Sequence, residues 1–155
     1  MFTIAFCCFS FLAARAQPGE KLLPAYKAIH QALVNADAPA AAEKADLMAR
    51  AAATIQLPEA KADMAKATLA RLIINAKKIS TTDDLAAQRA YFAALSQDLY
   101  TLAKTISLSA RPIYQAYCPM KKAYWLSQAL AISNPYYGKA MLTCGSITDT
   151  IQPVK

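Results

Sequence analysis

Four sulfurs, arranged as two pairs, are the residues most able to do chemistry. "AYCPMKKAYW" (116–125) carries Cys118 and Met120 on either side of Pro119, and "MLTCG" (141–145) carries Met141 and Cys144. In an extended segment residues two apart project to the same side, and Pro119 disfavours helix at Cys118. Cys118 and Met120 are therefore expected to face one point. Met141 and Cys144 are three apart and share a face in a helical turn. Thiolates and thioethers are soft donors, and such a set selects Cu(I), while the doubled CxxC spacing of a convincing zinc site is missing. Three readings stand on these residues alone: a Cu(I) site, a Cys118–Cys144 disulfide beside two core methionines, and two unlinked thiols.

His30, the only histidine, follows Tyr26 by four and precedes Leu33 by three, at the border of an apolar helical face. It reads either as a hydrogen-bonded packing residue or as an imidazole donor to the same metal. Trp125, the only tryptophan, reads as a core anchor or as a ring face over a bound cation. Met48 and Met64 read as core filler. Catalytic signatures are missing: the chain has no GxSxG, no Gly-rich phosphate loop, no HExxH and no CxxCH. Asp83 and Asp84 are adjacent, so on a helix they do not face each other, and capping explains them better than acid–base chemistry. A Cys118–His30 pair lacks a third orienting group. No enzyme and no catalytic residue is expected.

The elements that must position these groups divide the 155 residues into a leader and one domain (17–155). "MFTIAFCCFSFLAARAQ" is apolar from Phe2 to Ala14 and closes on Ala14-Arg15-Ala16, a small-x-small cleavage pattern, and is too short to span a bilayer. A signal peptide over 1–16 would remove Cys7 and Cys8 and send the domain across the inner membrane, with no membrane insertion afterwards. The formal charge of +7 falls to +6 without Arg15, but the lysines are scattered and form no stripe with aromatics, so nucleic acid is not expected as a partner.

Residues 20–108 are rich in alanine and nearly free of glycine, which favours helix. Leu22, Tyr26, Ile29 and Leu33 make one apolar face. Asp37 caps a second helix over 38–55 with Pro39 in its first turn. A third helix carries Met64, Leu69, Leu72, Ile73 and Ile79 after Pro58. In the fourth, Thr81 or Thr82 caps a seam of Leu85, Phe92, Leu95, Leu99, Leu102 and Ile106. Residues 109–155 hold four prolines, two glycines and five tyrosines, with "SNPYYG" as a turn in which Gly138 takes positive φ. The expected fold class is all-α: an antiparallel four-helix bundle with an irregular C-terminal segment packed on it.

"DLAAQRAYFAALSQDLYTLAK", "YCPM", "AYWLS", "NPYYG" and "MLTCG", in this order, resemble the domain of unknown function family 3347 over residues 22–151. The resemblance implies a bacterial exported domain, found alone or fused to heavy-metal efflux adaptor proteins. It further implies periplasmic metal binding through Cys118, Met120, Met141 and Cys144, with an efflux adaptor or metallochaperone as partner. The function expected is thus a Cu(I)- or Ag(I)-binding module for sequestration or hand-off. The alternative is a metal-free structural or interaction module closed by a Cys118–Cys144 bridge, with Tyr114, Tyr117, Tyr124, Tyr136 and Tyr137 as its surface.

Overall fold

The computed structural model describes residues 18–153; the expected leader, with Cys7 and Cys8, lies outside the described residues. Four helices come first: α1 (Pro18–Val34), α2 (Ala38–Ala53), α3 (Ala62–Ser80) and α4 (Leu85–Thr105). Local chemistry accounts for their starts. Asp37 accepts a hydrogen bond from the Ala40 amide at 3.0 Å and caps α2, satisfying one of the orphan N–H groups of its first turn. Pro58 leads into a short 3-10 turn (Glu59–Lys61) that feeds α3. The cap of α4 is Asp84, which accepts from the Ala86 amide at 2.9 Å, while Thr82 Oγ1 accepts from the Asp84 amide one step earlier. Among the described residues no helix is long and apolar enough to cross a membrane.

Each helix packs chiefly on its neighbour in sequence, and α1 and α4 touch only sparingly. The seam on α4 is buried as its spacing requires: Phe92, Leu95, Leu99 and Leu102 are fully covered, against Leu22, Ile29 and Leu33 of α1, Met48 of α2 and Leu72 and Ile79 of α3. Met64, read as core filler, instead stands exposed at the start of α3.

Residues 113–151 correct the all-α expectation. They form a three-stranded antiparallel sheet of β1 (Ile113–Cys118), β2 (Ala123–Ser127) and β3 (Ser146–Ile151), in the order β2-β1-β3. The strands are five or six residues long and rich in β-branched and aromatic side chains, which suit a half-buried pleated surface. Prolines sit outside them: Pro112 precedes β1 and Pro119 opens the β1–β2 turn, where Lys122 takes a left-handed conformation (φ 53). The segment is thus an ordered second layer over the bundle.

That layer is fastened at the gap between α1 and α4. Tyr26 of α1 shares a 2.6 Å hydrogen bond with Ser96 of α4, and its hydroxyl accepts from the Leu126 amide of β2 at 2.9 Å. Burial pushes the Tyr26 phenol well above its ordinary range, so it stays protonated. Around this junction Tyr26 stacks on Phe92 at 5.0 Å, Phe92 meets Tyr136 at 6.3 Å, and Tyr136 meets the edge of Trp125 at 6.1 Å. Such aromatic pairs contribute about 0.5–1.5 kcal/mol each beyond their buried area.

Candidate functional site

The sheet, not the bundle, brings the two cysteines together. β1 pairs antiparallel with β3 in a register that sets Tyr117 against Ser146. One step further along β1 is Cys118, and one and two steps back from β3 are Gly145 and Cys144. Cys118 is fully buried and Cys144 half-buried. The two thiols are neighbours without a disulfide, and one Asn134 amide group reaches both residues. Burial raises the Cys144 thiol above its ordinary value, with the neighbouring Cys118 adding to the rise.

Close approach here depends on Gly145. A Cβ at this position would lie 2.6 Å from the Trp125 ring and 2.9 Å from the Tyr117 carbonyl oxygen, and its φ of +147° disfavours any other residue. Trp125 is accordingly a core anchor, 1% exposed, packed one residue from Cys144.

Asn134 organises the pair. It is completely buried, and its Nδ2 donates to Cys118 Sγ at 3.2 Å and to the Cys144 carbonyl at 2.8 Å. Its Oδ1 accepts from the Tyr136 amide at 2.8 Å, closing an Asx turn. Its own backbone amide donates to the Leu142 carbonyl at 2.8 Å, and its carbonyl accepts from the Gly138 amide at 3.2 Å. Gly138 takes the expected positive φ (+55), with its Cα so near the Val34 carbonyl that an added Cβ would stand 2.7 Å from that oxygen. Arg89 of α4 secures the same loop, donating from Nε to the Pro135 carbonyl at 2.9 Å and from Nη2 to the Leu33 carbonyl at 3.0 Å. Tyr136 completes the frame by donating its hydroxyl to the Tyr124 carbonyl.

The other expected donors fall in different places. Met141 ends a 3-10 turn (Gly138–Met141) and its carbonyl accepts from the Cys144 amide at 3.1 Å, so the two lie in one tight turn, with the Met141 side chain half-buried. Met120 sits in the turn after β1, where the period-two alternation no longer holds, and is 63% exposed. His30 is occupied elsewhere: its Nε2–H donates to the Ser133 carbonyl at 2.8 Å and its ring lies 6.2 Å from Phe92. Burial lowers its pKa, so the ring is neutral. Among the described residues no three of His, Cys, Asp and Glu gather as a metal-holding group.

Sequence reasoning missed Asn134 and Arg89. A signal for the first existed, since Asn before Pro in "SNPYYG" favours a side chain turned onto its own backbone. None existed for Arg89, which lies between seam positions of an amphipathic helix.

Chemically, two neighbouring thiols, one of them receiving an N–H donor, can bind a soft cation or oxidise to a bridge. The family described as protein of unknown function (DUF3347) matches residues 22–111, the four helices and their exit to β1, so the cysteines lie beyond the matched segment. No curated protein and no solved structure matches the chain. With more than half of its residues matched, this chain belongs to the protein of unknown function (DUF3347) family.

Proposed function

We propose that the domain binds Cu(I) or Ag(I) through Cys118 and Cys144, as a periplasmic module that sequesters the ion or hands it on. The observation that carries this reading is the nearness of two unbridged cysteines where β1 ends and β3 begins, with the Asn134 amide donating to the inner sulfur and to the carbonyl of the outer cysteine. The donor set decides the ion class. Zinc takes about four ligands, whereas among the described residues no third histidine, cysteine or carboxylate joins the pair. Two thiolates suit a univalent soft ion of low coordination number. Met141, in the turn with Cys144, is the nearest candidate for a further thioether. Met120 and His30 are not part of the proposed set.

The chain's own residues would do three things. Asn134 holds Cys118 in place by donating its N–H to the sulfur that would meet the ion. Gly145 and Trp125 close the apolar side. Half-buried Cys144 gives the ion its route to solvent and to an acceptor. Export through the leader, the resemblance to domains fused to efflux adaptors, and an adaptor or metallochaperone as acceptor belong to the same reading; the role is binding, not catalysis.

Titration of the reduced mature domain with Cu(I) against a competing chelator tests it. One equivalent should bind, with affinity lost in Cys118→Ser and Cys144→Ser; unchanged affinity in both would end the proposal. A second reading rests on the same nearness: oxidation would join the thiols into a bridge closing the 118–144 loop, adding about 3 kcal/mol by chain-entropy reasoning. Thiol counting on protein isolated without reductant separates the two, because zero free thiols with no metal favours the bridge.

A further inference from the structure

A concave site beside α1 has neither cysteine in its lining. A cavity of about 420 Å³ opens between α1, the exposed end of β2 and the loop that follows it. That volume is within the roughly 300–1,000 Å³ range of small-molecule pockets. Leu23, Ile113 and Leu126 supply apolar lining, and Lys27, His30 and Arg111 the polar lining.

The charge of this lining is one-sided. No aspartate or glutamate lines the cavity among the described residues, and neither Lys27 nor Arg111 takes part in an ion pair there. Arg111 is steadied by a 3.3 Å hydrogen bond from Nη2 to Gln128 Oε1, and Gln128 in turn donates to Ser109 Oγ at 3.0 Å. His30, committed through Nε2–H to Ser133, keeps no other hydrogen bond among the described residues and adds a flat wall without positive charge. The Tyr26 hydroxyl is fully engaged by Ser96 and Leu126. Two unpaired cations beside an apolar surface form a lining complementary to an amphiphilic anion, whose head gains charge-assisted hydrogen bonds while its tail leaves water.

We propose that this cavity binds a small organic anion with an apolar tail, its head held by Lys27 and Arg111. Both cations are exposed, so replacing them does not disturb the core. The test is calorimetric titration of reduced, metal-free protein with octanoate, and with octanol as the uncharged probe of equal length. One octanoate should bind, octanol at least about tenfold more weakly, and Lys27→Gln and Arg111→Gln should each weaken octanoate about tenfold. Absence of octanoate binding at millimolar concentration, equal affinity for octanol, or indifference to both substitutions would overturn the proposal.

Discussion

Replacing Asn134 by alanine tests how the sulfur pair is held. The substitution removes two donors and one acceptor from a site with no solvent exposure. The Tyr136 amide is buried and would lose its partner, at a cost of about 1–3 kcal/mol. The Cys144 carbonyl is only partly buried, so water can replace its partner and the cost there is about 1 kcal/mol or less. The contact to sulfur is weaker still. Together these give about 2–4 kcal/mol, a large part of the ~5–15 kcal/mol that a domain possesses. Urea unfolding of the reduced protein should show this as a lower midpoint with unchanged slope. Asn134→Asp keeps the acceptor of the turn and reverses the polarity facing the sulfur. Its carboxylate still accepts from the Tyr136 amide but sets a buried charge against the Cys144 carbonyl oxygen, so it should destabilise at least as much as alanine. It also places negative charge beside the Cys118 sulfur and should weaken Cu(I) binding more than alanine does. An Asn134→Ala loss under about 0.5 kcal/mol would refute the view that this side chain organises the loop.

Further expectations concern other parts of the frame. Gly145→Ala should destabilise by about 2 kcal/mol or more, read by urea unfolding, because its Cβ meets Trp125 and the Tyr117 carbonyl and its φ is strained. His30 has a folded pKa below its ordinary 6.5, from burial first and Lys27 as a lesser cause, so the unfolded chain takes up protons more readily. Stability from this residue is therefore present above pH 6.5 and lost as pH falls from there through the folded value, and His30→Phe should flatten that part of the stability–pH curve. Met120→Leu, at a 63% exposed position, should leave Cu(I) affinity within about twofold.

The helices were legible because their signals are local. The Asp37 cap and the steps of the α4 seam are set by residues within a turn or two, and the structure places buried side chains at most of the seam positions. The cap of α4 fell on Asp84 instead of Thr81 or Thr82, since only the aspartate is adjacent to the first helical residue. The sheet was not legible in the same way. Its strands are five or six residues long and separated by prolines and turns, and each gains its hydrogen bonds only from a distant segment. A clue existed in "SITDTI", four of whose six residues are β-branched. Composition instead suggested irregular chain. The nearness of Cys118 and Cys144 follows from the Tyr117–Ser146 register, which no property of either cysteine encodes. Met120 belonged to the expected pair only while the strand was assumed to continue past Pro119.

In the proposed site the inner and outer thiols together hold one soft ion. X-ray absorption at the copper edge, on reduced protein loaded with one equivalent of Cu(I), addresses it most directly. Two sulfurs at about 2.3 Å are expected around the metal, with one lost in Cys144→Ser. A first shell of nitrogen or oxygen, or a spectrum indifferent to that substitution, would contradict it.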